Sequence, residues 1–158
     1  MSDPGQVARD LVAVSGLEAM RALIAGKFPA PSIAETLDFV LAQVDDGLAV
    51  FLGNPSDRIL NPLGVVHGGW ALTLIDSCCG CAAHTTLPAG VGYTTVETKV
   101  NFVRAIAPDT GQVRAEGRVV ARGRSIITAE GTLTDSRGKL LAHGTSTLMV
   151  LRPERKSS

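Results

Sequence analysis

The chain has 158 residues, inside the roughly 100–200 that one domain occupies, so a single core is expected and a tandem arrangement is not. Fifteen Lys and Arg balance fifteen Asp and Glu, which leaves no long-range field to draw in nucleic acid or an anionic membrane surface. Hydrophobic residues make up 45% against 19% charged and 4% aromatic, a mixture that builds a core from Val, Leu, Ile and Ala and excludes disorder.

The opening Met-Ser-Asp-Pro-Gly-Gln lacks the basic flank and apolar stretch of a signal peptide. No apolar run approaches the roughly 18 residues of a membrane span, and a cytoplasmic location is the expectation. Cys78, Cys79 and Cys81 are odd in number and crowded, which fits reduced thiols better than a disulfide framework.

Residues 6–25 place Val7, Leu11, Val14, Leu17, Met20, Leu23 and Ile24 at spacings of three and four, predicting one or two short helices with Gly16 as a break. With Pro29 and Pro31 after them, residues 1–34 read as an N-terminal helical extension. Residues 35–53 predict two strands around Asp45-Asp46-Gly47, a hairpin signal, with Val40 and Val44 on one side and Val50 and Leu52 on the next. Asn54, Pro55, Asn61, Pro62 and Gly64 make 54–66 a loop.

From Gly68 to about Thr86 apolar side chains cover nearly every helical direction, which predicts a buried helix ended by Pro88 and Gly90. Period-two alternation follows: Val96, Val100 and Phe102; Val113 with Val119; Ile127 and Leu133; Leu148 and Val150. These are four strands, with turns at 108–111, at Arg122-Gly123-Arg124 and at 135–139. One helix among six strands cannot supply parallel crossovers. The expected architecture is therefore α+β, an antiparallel sheet folded around one central helix over residues 35–151, followed by a polar, frayed tail at 152–158.

The chemistry-bearing stretch is Asn61, then His67-Gly68-Gly69 at the mouth of the buried helix, then Asp76 within it. Glycines at a helix start leave N–H groups unshielded at the positive end of the dipole, a place suited to a developing oxyanion. They also serve simple close packing. A carboxylate on an apolar helix must be hydrogen-bonded, ion-paired or shifted in pKa, so Asp76 is either a satisfied buried acid or a catalytic base. Eight residues at about 1.5 Å each put it roughly 12 Å from the Gly68 amide. One helix cannot bring both to one bond. If both act on one substrate, two subunits share the site across a two-fold axis.

Asn61, His67-Gly68-Gly69 and Asp76 at these spacings, with Gly92-Tyr93-Thr94-Thr95-Val96-Glu97 and Val100-Asn101-Phe102 downstream, resemble the hotdog-fold acyl-CoA thioesterases of the phenylacetic-acid-degradation type. The resemblance spans about residues 35–151. It implies a five- to six-stranded antiparallel sheet wrapping one long helix, dimers paired sheet edge to sheet edge, and tetramers built from those dimers. It implies further that the Gly68 N–H, with Gly69 beside it, polarises a thioester carbonyl, and that the partner subunit's carboxylate equivalent to Asp76 activates water or attacks directly. Asn61 would hold the water or the acyl group, and His67 would orient the loop. Some relatives carry a hydroxyl four residues past the acid, where this chain has Gly80, or on the next strand. There the match to Val100-Asn101-Phe102 selects Thr95, and plain counting selects Thr94. Gly123, Arg124 and Ser125 match a region used near pantetheine and nucleotide.

Arg114, Arg118 and Arg122, at even spacing on one strand, serve coenzyme A phosphates or a solvated face equally. Phe39, Phe51, Trp70, Tyr93 and Phe102 are candidates to line an acyl pocket, or are simply core. Cys78, Cys79, Cys81 and His84 lack the second spaced pair a zinc site needs, and neither a metal nor a cofactor beyond the substrate's own coenzyme A is expected. A Gly-x-Ser-x-Gly elbow and a phosphate-binding Gly-rich loop are missing, and His143 reads as an ordinary half-buried histidine. The expected activity is hydrolysis of an acyl-CoA thioester. The rivals are hydration or dehydration of an acyl thioester, and a non-catalytic acyl-CoA carrier.

Overall fold

The computed structural model describes residues 4–153; the last residues of the expected tail, from 154 on, lie outside the described residues, as do 1–3. Helices α1 (Pro4–Val12), α2 (Gly16–Ile24) and a short α3 (Ser32–Thr36) precede strands β1 (Phe39–Asp45) and β2 (Leu48–Gly53). The long helix α4 (Gly68–His84) follows, then β3 (Gly92–Phe102), β4 (Val113–Arg122), β5 (Ile126–Thr134) and β6 (Leu140–Leu151). The break at Gly16 falls where expected, and its cause is a capping box: the Ser15 hydroxyl accepts the Glu18 N–H while the Glu18 carboxylate accepts the Ser15 N–H. Helix α3 is an addition to the expected plan, begun by Pro31 at its N-cap.

The six strands form one antiparallel sheet in the order β1-β2-β4-β5-β6-β3, and it packs around α4. This is the hotdog architecture. Leu74, Ile75, Cys78 and Cys79 of α4 are completely buried against Val113, Leu133, Leu148 and Ala142, so the all-round apolar helix of the sequence is the centre of the core.

Glycines line up across the sheet; those on β4 and β5 seat the helix, and the one on β6 lies against the Lys99 carbonyl of β3. Gly117 on β4, Gly131 on β5 and Gly144 on β6 are direct cross-strand partners. A Cβ on Gly117 would lie 2.2 Å from the Cys78 carbonyl oxygen, and one on Gly131 3.1 Å from the Cys79 Sγ. Only bare backbone allows α4 to sit this close to the sheet.

Three of the four register irregularities in the sheet correct the strict alternation read from sequence. One between Leu41 and Gln43 splits Val40, 57% exposed, from the half-buried Val44. One at Val96, between Thr95 and Glu97, turns Val96 outward at 58% exposure, away from Val100. The third, between Val119 and Ala121, separates Arg122 from the face that holds Arg114 and Arg118. An inserted residue reverses the parity of everything beyond it.

Candidate active site

His67 is the N-cap of α4, and its Nδ1 accepts the Gly69 N–H at 2.8 Å. The Gly69 amide is thereby occupied, while the Gly68 N–H, one of the donors that a helix start leaves open, has no partner among the described residues. With Nδ1 accepting, a neutral His67 carries its proton on Nε2. Phe102 covers Gly68: a Cβ there would meet the ring at 3.1 Å. Gly68, His67 and Phe102 line one cavity together with Val66 and Ile106.

Asn61 shapes the approach to this helix start. Its Oδ1 accepts from the N–H of Leu63 at 2.9 Å and of Val65 at 3.3 Å, its own N–H donates to the Val65 carbonyl, and Gly64 turns the loop at φ 77°. Within one protomer its Oδ1 is committed to its own loop.

Asp76 lies a little over two turns further along α4. Its Oδ1 accepts from the Thr98 hydroxyl at 2.9 Å and the Thr95 hydroxyl at 3.1 Å. Behind Thr98 stands the Ser146 hydroxyl, 1% exposed, 3.0 Å from Thr98 Oγ1 and 3.2 Å from the Glu97 carbonyl to which it donates. The sequence pointed to Thr95 but not Thr98. Three residues apart on a regular strand they would face opposite sides, and the bulge at Val96 brings both to the acid. Thr94, the other candidate, is exposed and sits on neither side of Asp76.

The carboxylate stands at a junction. Inward lies a cavity of about 400 Å³ between α2, α3 and both edge strands of the wrapped sheet, with Asp76 and Cys81 of α4 as its floor. Outward, a groove runs past Thr73, Thr95 and Glu97 along β3. Of the five aromatic candidates, Phe39, Phe51 and Tyr93 line the cavity. Trp70 is 3% exposed and its indole donates to the Leu37 carbonyl at 2.8 Å, and Phe102 belongs to the Gly68 cavity.

Tyr93 occupies the space beside Gly80: a Cβ at Gly80 would lie 2.7 Å from the Tyr93 Oη. One turn past the acid, the missing position-80 side chain is thus replaced by a phenol from β3. Burial, with Cys81 and Asp76 adding to it, pushes the Tyr93 hydroxyl above its ordinary range, and burial pushes the Cys81 thiol up to about 12. Both stay neutral at physiological pH.

The turn holding Gly123, Arg124 and Ser125 closes β4 onto β5. It lies toward the end of the sheet where the Gly47 N–H meets Thr85 at the C-terminus of α4, remote from Gly68 of the same protomer. Arg114 and Arg118 both close on Glu116, whose carboxyl they hold below its usual range against the opposing effect of burial. Arg122 pairs with Asp46 at 2.7 Å. Arg124 makes no ion pair or side-chain hydrogen bond among the described residues, which leaves it as the available cation of the set. No cluster of His, Cys, Asp and Glu among the described residues could hold a metal, and no helix among them is long and apolar enough to cross a membrane.

The sequence profile of the thioesterase superfamily matches residues 63–142, the stretch that carries His67, Gly68, Asp76, Thr95 and Thr98. The chain belongs to the thioesterase superfamily. It is similar to a protein of Saccharolobus solfataricus that bears an esterase name, 31% identical over 123 residues, 78% of this chain and 86% of the relative. Among solved structures, the thioesterase fold here is similar to a phenylacetic-acid-degradation-related protein of Ralstonia eutropha JMP134 assigned as a thioesterase, with a TM-score of 0.75, 30% identity, and coverage of 82% of this chain and 98% of that one. The PaaI protein of the E. coli phenylacetic acid degradation operon shares the fold at TM-score 0.73 and 17% identity, over 90% and 96% of the two chains. A Streptococcus mutans protein bound to acetyl-CoA shares it at TM-score 0.66 and 24% identity, over 74% and 91%. This thioesterase is a thioester hydrolase of the PaaI-like type, as the spaced motif implied.

Proposed function

We propose that this enzyme hydrolyses acyl-CoA thioesters in sites shared between two subunits. The observation that carries the reading is the position of Asp76 between a mainly apolar cavity and a more open groove, while the free Gly68 amide of the same helix faces a separate cavity about 12 Å away. The acyl group enters the cavity and the thioester rests at the junction. A Gly68 N–H from the partner subunit stabilises the oxyanion as the carbonyl carbon turns tetrahedral. Asp76, fixed by Thr95 and Thr98, takes the proton of an attacking water or adds to the carbonyl itself. The C–S bond breaks and coenzyme A leaves as the thiol once its sulfur takes up a proton; on the general-base route the acid is then free, and on the direct route a water must still cleave the acyl–Asp76 anhydride to release it.

Strand β3 is an unpaired edge of eleven residues. An edge this long invites pairing with another chain, which supports a dimer formed edge to edge, with dimers associating into a tetramer. The acetyl-CoA held by the Streptococcus mutans neighbour supports coenzyme A as the carrier, and Arg124 with Gly123 and Ser125 suits its phosphates. The enzyme would act in the cytoplasm and need no cofactor.

A free-thiol assay over phenylacetyl-, hydroxybenzoyl- and medium-chain acyl-CoA, run on wild type and Asp76→Ala, tests the reading. Turnover by the wild type and a loss of about 10²–10⁴ in the variant, with the oligomer intact by light scattering, is the expected result. Enoyl-CoA loss without thiol release would point to a hydratase, and tight binding with no turnover to a carrier.

A further inference from the structure

Resting on that reading, we infer that residues 23–34 form the gauge of the acyl cavity and that the acyl group it admits is uncharged, mainly apolar and long enough to reach them. This segment lies outside the stretch matched by the superfamily profile, 63–142, yet Leu23, Ile24, Pro31 and Ile33 all line the cavity, Ile33 bordering the outer groove beside Asp76 as well. The two edge strands of the sheet, β1 with Phe39 and β3 with Tyr93, curl toward each other around α4, and α2 and α3 roof the space between them. Asp76 marks where the carbonyl must be, and Leu23, Ile24 and Pro31, which line this cavity but not the groove beside Asp76, mark where the far end of the acyl group stops.

The lining explains which acyl groups fit. Among the described residues the cavity wall contains no Lys, Arg or His, and Asp76 is its one acidic residue. A second carboxylate on the acyl group would lose its water without gaining a cation and would face Asp76. An alkyl chain or an aromatic ring instead exchanges water for Phe39, Phe51 and the Ile33 side chain. At about 400 Å³ the space falls in the range of about 300–1,000 Å³ typical of small-ligand cavities, which suits a ring or a chain of several carbons and leaves an acetyl group with little contact.

Burial of one methylene corresponds to about fourfold in affinity. The gauge therefore predicts that kcat/KM of the wild type climbs about fourfold per methylene along the straight-chain series, then turns down once the chain meets the roof. Ile33 is 50% exposed and Ile24 43% exposed, so larger side chains are tolerated there without disturbing the core. Ile33→Trp and Ile24→Trp should each move the optimum to shorter chains by two or more carbons.

The experiment measures kcat/KM for acetyl- to dodecanoyl-CoA, phenylacetyl-CoA and succinyl-CoA on wild type and both Trp variants. The Kd of the same thioesters is measured by calorimetry on Asp76→Asn and on its double variants with each Trp. A rising slope, an optimum that shortens with either Trp, and succinyl-CoA at least 10²-fold below butyryl-CoA support the gauge. An optimum unmoved in both Trp variants, a parallel loss at all lengths, or succinyl-CoA preferred would overturn it. If Asp76→Asn turns over as fast as wild type, the hydrolytic role of Asp76 fails, and the chain-length dependence of Kd still decides the gauge by the same criteria.

Discussion

Thr98 donates its hydroxyl to the Asp76 carboxylate at 2.9 Å although Thr95, three positions earlier on the same strand, reaches the same oxygen. The bulge at Val96 is what permits this, and it makes the pair of hydroxyls a device for fixing the acid's orientation. Hydrogen bonds to a charged group contribute about 1.5–3 kcal/mol each, so Thr98→Val should lower kcat by about 10–100-fold with KM little changed. Thr98→Ser should recover most of the rate. Thr95→Val should behave similarly, and equal kcat for wild type and Thr98→Val would show that the bond only holds the strand.

A site divided between subunits can be tested by mixing defects. Proline is tolerated at the first helical position and has no N–H, so Gly68→Pro removes the donor while keeping the helix start; Phe102, the side chain nearest that position, is 59% exposed and free to yield. Loss of one oxyanion donor costs about 10²–10³ in kcat. When Gly68→Pro and Asp76→Ala subunits are unfolded together and refolded in equal amounts, heterodimers gather both defects in one site and leave the other whole. Activity should return to about a quarter of the wild-type value in the mixture. No recovery above the two parents would place both groups in a single protomer's chemistry.

Much of this architecture is written in the hydropathy pattern, because a helix apolar on every side can only be central and a period of two can only be strands. The Ser15 capping box, the hairpin at Asp46-Gly47 and the helix start at His67 are local features with local signatures. The glycine row is different: Gly117, Gly131 and Gly144 are 14 and 13 positions apart, and only the strand register shows them to be neighbours. Bulges have the same character. One extra residue in β3 decides whether Thr98 meets Asp76 or solvent, and no composition rule marks Val96 as that residue. The arginines show the cost of counting by twos, since Arg122 lies past a bulge and pairs with Asp46.

The glycine row sets a stability prediction. A methyl group on Gly117 would overlap the Cys78 carbonyl, at 2.2 Å, and the Cys79 amide nitrogen, at 2.7 Å. Both are helix backbone, which cannot swing aside as a side chain would. Gly117→Ala should destabilise the fold by about 3 kcal/mol or more, at or beyond the top of the usual range for overpacking. Gly138→Ala serves as a control of a different kind: its φ of 78° strains any side chain, but nothing lies within 4 Å of the added atom, and a cost of about 1 kcal/mol is expected. Chemical denaturation of the two variants checks the order, and a smaller loss at Gly117 than at Gly138 would contradict the close seat of α4.

His84, at the end of α4, is 9% exposed, packs its ring against Tyr93 at 5.6 Å and leaves Nδ1 buried with no partner among the described residues. Burial lowers its pKa from the ordinary 6.5, so the folded state keeps the ring neutral at a pH where the unfolded chain already binds a proton. The unfolded state then holds more protons, and stability rises with pH through this window. The contribution is complete above about pH 6.5 and is lost as pH falls below it toward the depressed folded value. Melting temperature should therefore decline from pH 7.5 to pH 5, and His84→Leu, close in volume and without a proton to take up, should flatten that decline. Thermal melts of wild type and variant at half-unit steps in pH provide the check: parallel curves would mean that other groups, not His84, carry the acid sensitivity.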